Sequence, residues 1–232
     1  MTKYLLANWK SHKSLAQAES WLHEFSRLYR PTEGLKVIIA PAMVHLAPLR
    51  QLLNNPAMPE LALASQDLSP FPLGSYTGAV AAEMVRGLVD FAILGHSERR
   101  RYFHETNQDV ANKVSEARAA AIQPIVCLDR PYARAQLAAL DEADLKGLLI
   151  GYGPVEAIGV DIPPSPEKVG KVIAELQAMA PDAAILYGGS ITAENAADYL
   201  GLAGVAGLMV GTASLAAEEF ARICAIAARA SA

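Results

Sequence analysis

The sequence lacks several features that would point to particular classes of protein. Only two of its 232 residues are cysteines, Cys127 and Cys224, which make no disulfide framework and fit a reducing compartment. No apolar run approaches the length of a membrane span, and the N-terminal apolar run is too short for a signal peptide. The net charge is −4, and the densest basic cluster, Arg99–Arg101, is interpreted as a solvated or ion-paired face. These absences predict a cytoplasmic protein that binds neither a membrane nor a nucleic acid.

What the sequence does contain is a regular alternation of two patterns. Short, nearly continuous apolar runs are typical of parallel strands that are covered on both faces. Amphipathic stretches with helical spacing separate these runs, and one of them opens with Ser165 as N-cap and Pro166 at the first helical position. The apolar runs begin at Tyr4, Leu35, Leu61, Asp90, Gln123, Gly147, Ala183 and Ala206.

Eight strand–helix units with no linker between them predict one α/β domain that spans residues 1–232. Such units form either a closed (β/α)8 barrel or an open doubly wound sheet, and the even number of units and the length favour the barrel. In a barrel the chemistry collects at the carboxyl ends of the strands. The candidate residues at these ends are Asn8, Lys10, Pro41, Gln66, His96, Asp129, Gly153, Gly188, Gly189, Ser190 and Gly211.

Several of these strand ends are suited to an anionic substrate. Lys10 either solvates the surface or neutralises an anion and stabilises developing negative charge. His96 is followed at once by Ser97, Glu98 and Arg99, which makes it a better candidate for acid or electrophile work than a structural histidine. The turns "YGGSIT" and "VGTASLA" allow backbone N–H groups to approach an anion closely, and the last two strands of a barrel are a frequent phosphate site.

Six motifs in order along nearly the whole chain resemble those of triosephosphate isomerase: "ANWK", "GSYTG", "ILGHSERR", "PVEAIG", "LYGGSIT" and "LMVGTASL". The combination of "GHSERR" with "YGGS" is highly specific. The resemblance implies a single TIM barrel that interconverts an aldose and a ketose triose phosphate in glycolysis and gluconeogenesis, without a cofactor or a metal. It also implies a homodimer, in which the loop centred on Thr77 plugs into the neighbouring subunit.

The resemblance further implies a role for individual residues. Asn8 and Lys10 would bind the substrate, and Lys10 would supply positive charge. His96 would be the neutral electrophile that polarises the substrate carbonyl, with Glu98 supporting the region of Lys10. Tyr187 and Ser190 would latch a closed loop. The residues implied to form the phosphate site are Ser190, Gly188, Gly189, Gly211 and Gly159.

The stretch "GYGPVEAIG" departs from the family at its most important position. The family has Glu-Pro-Val or Glu-Pro-Pro here, and that glutamate is the base that removes the carbon proton. In this chain the position is Gly153, while Pro154 and the following "AIG" keep the register. Glu156 is a possible substitute, although it is not the displaced base by default. Other departures are Asp129-Arg130 for Gly-Glu, Asp161 and Thr212 for glycines, and Ala79 for a glutamate.

Three functions remain open at this point. Because the binding residues are kept better than the catalytic loop, the leading hypothesis is a protein that binds a small phosphorylated metabolite and has weak triose-phosphate isomerase activity. The second is an isomerase of a different small sugar phosphate that uses Glu156 as its base. The third is a non-catalytic sugar-phosphate-binding or regulatory protein.

Overall fold

The fold is a single (β/α)8 barrel, as the alternation of apolar and amphipathic stretches predicts. The computed structural model describes residues 2–54, 61–154 and 163–231. All eight strands are parallel, and β1 pairs with β8 to close the sheet, so the open doubly wound alternative is wrong. The strands are β1 (Lys3–Asn8), β2 (Leu35–Ala40), β3 (Leu61–Ser65), β4 (Phe91–Leu94), β5 (Gln123–Leu128), β6 (Leu149–Tyr152), β7 (Ala184–Tyr187) and β8 (Val205–Val210).

Helices connect successive strands around the outside of the barrel, and in the connection from β3 to β4 the described helix is a short 3-10 helix, Ala82–Val85, in place of the predicted α-helix. Local sequence starts several of them: Ser14 and Gln17 form a capping box, as do Thr106 and Asp109. Ser165 caps a helix that has Pro166 at its first position, as predicted. None of the helices in the described part of the chain is long and apolar enough to cross a membrane. The helices are α1 (Leu15–Leu28), α2 (Leu46–Leu53), α3 (Ser97–Tyr102), α4 (Asn107–Ala119), α5 (Ala133–Ala138), α6 (Glu142–Leu145), α7 (Pro166–Met179), α8 (Ala196–Leu200) and α9 (Ala217–Ser231).

The strands divide their side chains between two apolar cores. Because successive side chains of a strand point to opposite faces, alternate residues fill the barrel interior and the layer beneath the helices. On β5, Ile125 and Cys127 lie in the interior cluster, whereas Val126 and Leu128 lie in the outer one. Both cysteines are buried and free. The interior cluster consists of Leu6, Ile38, Ala40, Ala62, Ala64, Phe91, Ile93, Ile125, Cys127, Leu149, Leu186 and Met209.

A buried group of four charges ties α3 and α4 to the loop after β3. Lys113 Nζ lies 2.7 Å from Asp67 Oδ1 and also contacts Glu105. Arg99 reaches the same two acids, at 2.7 Å from Asp67 Oδ2 and 3.1 Å from Glu105 Oε1. Burial raises the pKa of Asp67, and the positive charge of Lys113 opposes that rise. Arg99 is therefore ion-paired, as its basic cluster was interpreted, and the charges fix the segment that carries His96.

Removing one member of this charge group should destabilise the protein strongly. The Lys113 side chain is only 4% exposed, so Lys113→Met leaves the buried carboxylate of Glu105 and the partly buried carboxylate of Asp67 with Arg99 as their shared partner. We expect a loss of about 3–5 kcal/mol in the free energy of unfolding, measured by urea denaturation. Lys171→Met is the matched control, because its pair with Glu167 is exposed and is worth less than about 1 kcal/mol. Equal losses in the two variants would contradict the structural role of the buried group.

Candidate functional site

Lys10 is held in an uncommon backbone conformation at the end of β1. Its φ is +51°, in the left-handed region where a residue with a side chain needs support from its surroundings. The Lys10 N–H donates to Asn8 Oδ1 at 3.1 Å. The Lys10 carbonyl accepts from Gln66 Nε2 at 2.8 Å, and the same amide donates to the Ala40 carbonyl at 2.9 Å. These contacts aim the Lys10 side chain over the mouth of the barrel.

The ammonium group of Lys10 pairs with Glu98, as the resemblance implies. The distance from Lys10 Nζ to Glu98 Oε1 is 2.7 Å, and the two side chains are 29% and 36% exposed. Because both groups remain partly open to solvent, the pair positions Lys10 without burying its charge. The ammonium group is thus fixed in place and still able to face an anionic ligand.

His96 is the N-cap of α3 and its ring is fixed in one tautomer. The backbone N–H of Glu98 donates to His96 Nδ1 at 3.2 Å, so a neutral ring carries its proton on Nε2. Burial lowers the pKa of His96, Lys10 lowers it further, and Glu98 opposes both effects. The neutral ring is therefore a hydrogen-bond donor through Nε2.

The glycine turns after β7 and β8 bring backbone close together. A Cβ on Gly188 would lie 3.1 Å from the Cβ of Met209, and one on Gly189 would collide with the Tyr187 ring. The Gly188 N–H donates to the Tyr152 carbonyl at 2.7 Å, so it continues the pairing of β6 with β7 and is not offered to an anion. Of the predicted phosphate-site residues in the described part of the chain, Gly189, Ser190 and Gly211 remain candidates. Gly159, which was predicted with them, lies outside the described residues.

Gly153 follows β6 directly and places no side chain in the site. Gly153 and His96 line the same cavity. A Cβ added to Gly153 would lie 2.9 Å from the carbonyl oxygen of Gly188, so any larger residue there requires the backbone to shift. Glu156, the possible substitute base, and Asp161 lie outside the described residues.

One cavity at the carboxyl ends of the strands joins most of the predicted residues. Its volume is about 1360 Å³, and Asp129 and Thr212 also line it. Pro41 and Gln66, which were candidates by position alone, do not line it, and Gln66 acts instead through the Lys10 and Ala40 carbonyls. Among the described residues, no three His, Cys, Asp or Glu side chains form a group that could hold a metal ion. The predicted site residues on the cavity wall are Asn8, Lys10, His96, Glu98, Gly153, Gly188, Gly189, Ser190 and Gly211.

The fold and this cavity define a barrel protein whose functional face is formed by the strand ends, where barrel enzymes carry their chemistry. Residues 3–227 match the family model of triosephosphate isomerase. The triosephosphate isomerase of Thermus thermophilus is 34% identical, with 98% of this chain and 100% of the relative covered. That of Dehalococcoides mccartyi is 33% identical, with 95% and 94% covered. The chain therefore belongs to the triosephosphate isomerase family.

The titration of His96 should show the effect of its burial. We expect a midpoint below the ordinary value of about 6.5, because the folded protein disfavours the charged ring. The unfolded chain then binds the proton more readily, so the stability that His96 contributes is full above pH 6.5 and is lost as the pH falls below that value. The measurement is the imidazole ¹⁵N shift by NMR, assigned with His96→Gln and referenced to the chain in urea. A midpoint at or above that of the unfolded chain would contradict the buried, neutral ring.

Proposed function

We propose that this chain binds a small phosphorylated carbonyl compound and isomerises triose phosphate slowly. The proposal rests on one observation: the cavity that joins Lys10, His96 and the glycine turns has no side chain at position 153. The phosphate would contact backbone N–H groups of Gly189, Ser190 and Gly211, and the carbonyl would face Lys10 and His96. The family supports a place in glycolysis and gluconeogenesis, and a cytoplasmic location is part of the same proposal.

The chemistry follows from the geometry of Lys10 and His96. Removing a proton from the carbon beside a carbonyl places negative charge on the carbonyl oxygen. The Lys10 ammonium group and the His96 Nε2–H stabilise this charge, as preorganised donors do. A positioned general base contributes about 10²–10⁴ in rate, or roughly 3–5 kcal/mol of barrier. Proton transfer is slow because Gly153 supplies no base. Substrate binding and charge stabilisation do not depend on that base and are retained.

The assay that tests this proposal measures interconversion of dihydroxyacetone phosphate and glyceraldehyde phosphate. We expect the wild type to be slower by about 10²–10⁴ than a relative with glutamate at this position. Gly153→Glu should raise kcat and leave the affinity for glycerol 3-phosphate little changed, because a base acts mainly in the transition state. The gain should be partial, since the new Cβ approaches the Gly188 carbonyl.

Gly153→Gln is the matched control, because it has the same size and no carboxylate. Equal rates in the glutamate and glutamine variants would contradict the assignment of position 153. Efficient wild-type turnover that is lost in Glu156→Gln would make Glu156 the base. Binding of glycerol 3-phosphate without any turnover would instead support the non-catalytic sugar-phosphate-binding protein.

We also propose that the chain forms a homodimer through the loop centred on Thr77. This loop is exposed and apolar: Leu73 is 60% exposed and Tyr76 is 44% exposed. The rings of Phe71 and Tyr76 stack with centroids 4.4 Å apart, which presents a flat apolar surface. A second subunit would remove this surface from water, which is the usual reason for an exposed apolar patch.

Disrupting this loop should therefore produce monomers. Thr77→Arg places a charge in the proposed interface, and we expect a monomer in sedimentation at micromolar concentration where the wild type is a dimer. Ala174→Arg, on an exposed position of α7, adds the same charge elsewhere and should leave the dimer intact. A wild type that sediments as a monomer would contradict the assembly proposal.

A further inference from the structure

The alternation of side chains along β5 and β6 identifies two inward positions at the mouth of the barrel. On β6, Leu149 lies in the interior cluster, whereas Ile150 and Tyr152 lie in the outer cluster. On β5 the inward residues are Ile125 and Cys127. Because the side chains of a strand alternate, the next inward residue is Gly153 after β6 and Asp129 after β5. Both residues line the cavity.

The register of the two strands makes Asp129 and Gly153 neighbours. The last pairs of the two strands are Cys127 with Gly151 and Leu128 with Tyr152, and the same register continued by one residue sets Asp129 beside Gly153. The inward pair two residues earlier on these strands, Cys127 and Gly151, is in contact: a Cβ on Gly151 would lie 3.2 Å from Cys127 Sγ. A side chain at 129 therefore enters the same cavity from the strand next to position 153, while the atoms closest to a Cβ at 153 belong to Gly188.

The inward residues at the ends of three other strands leave the mouth of the barrel in front of Asp129 open. By the same alternation, the inward residues that follow β4, β7 and β8 are Gly95, Gly188 and Gly211. None of these has a side chain to compete for the space. Cys127 lies below this level, and burial raises the pKa of its thiol to about 12, so it does not accept a proton at neutral pH.

The backbone of Asp129 is held on both sides. Its N–H donates to Gln136 Oε1 at 2.9 Å, and its carbonyl accepts from the Tyr132 N–H at 2.9 Å. The following residue, Arg130, reaches outward and donates to both carboxylate oxygens of Glu175 on α7, at 3.0 and 2.9 Å. Asp129 also interacts electrostatically with Arg100 on the cavity wall. The backbone that carries the Asp129 carboxylate is thus fixed at the mouth of the barrel, where the neighbouring strand end has no acid.

We propose that Asp129 is the general base of this chain, in place of the glutamate that Gly153 replaces. The inference rests on the proposed function. The resemblance to the family supports it from the sequence, because the family has glycine at position 129 and glutamate at position 153. This chain has the reverse pattern, an acid at 129 and a glycine at 153. The carboxylate has moved from the end of β6 to the end of β5.

The proposed step balances without any co-reactant. A carboxylate oxygen of Asp129 takes the proton from the carbon beside the carbonyl, and the C–H electron pair becomes a C=C bond as the carbonyl electrons move to oxygen. Lys10 and the His96 Nε2–H stabilise the resulting enediolate. Asp129 then returns the proton to the adjacent carbon, while the hydroxyl proton passes between the two oxygens through His96. The neighbouring strand offers a less direct approach to the carbon, and small misplacements are costly, which accounts for the slow rate.

Asp129→Asn tests the assignment, because it keeps the shape of the side chain and removes the proton acceptor. We expect kcat to fall further, by no more than the part of a base's contribution of about 10²–10⁴ that the misplaced carboxylate retains. Exchange of the substrate's carbon-bound hydrogen with deuterium from the solvent should fall in parallel, while the affinity for glycerol 3-phosphate is unchanged. Asp129→Glu keeps a carboxylate and should retain part of the exchange. Asp182→Asn, an exposed aspartate before β7 at the other end of the barrel, is the matched control and should change nothing.

The outcomes separate this inference from the proposed function. If the wild type does not bind glycerol 3-phosphate, the proposed function fails. If it binds and exchanges hydrogen, but Asp129→Asn does so equally well, the inference alone is wrong. A wild type that binds without any exchange, or an Asp129→Asn variant that loses binding and exchange to the same extent, would also overturn the inference.

Discussion

A closed parallel barrel constrains each strand to send every second side chain inward, and the site of this protein depends on that constraint. Below the mouth, the inward residues are apolar and form the interior core, with Met209 Sδ filling the space above Gly151. At the mouth, the same series continues with residues that line the cavity. The apolar core and the functional site are thus consecutive levels of one arrangement. A residue's place in that series determines whether it packs in the interior core or lines the cavity.

The electrostatics of the site are built from pairs that have different degrees of burial. In the group of Arg99, Asp67, Glu105 and Lys113, the side chains of Glu105 and Lys113 are enclosed, and the group fixes α3 against the barrel. The side chains of Lys10 and Glu98 are more exposed than those of Lys113 and Glu105, so the ammonium group of Lys10 can still interact with an anion. His96 stands between these regions as a neutral donor.

The sequence predicted the architecture, and most of the predicted site residues lie on the cavity wall, because both follow from local patterns. Apolar runs located the strands, and strand ends located Lys10, His96 and Gly153. The contacts of Gln66 with the Lys10 and Ala40 carbonyls could not be predicted, since they join three strand ends that are distant in the chain. The use of the Gly188 N–H by the Tyr152 carbonyl likewise depends on strand register. Asp129 was a candidate by position, and the structure places it on the cavity wall, beyond the inward residues Ile125 and Cys127 of β5.

The glycines at the mouth have a consequence for how such proteins diverge. Adjacent strands are about 4.8 Å apart, so neighbouring inward positions are close enough to serve the same ligand from slightly different directions. A functional group can then migrate around the ring by two substitutions, with the backbone unchanged. Column-by-column alignment would record one loss and one unrelated gain, and would classify the protein as inactive. In barrels, the appropriate unit of comparison is therefore the whole ring of inward positions rather than the single aligned residue.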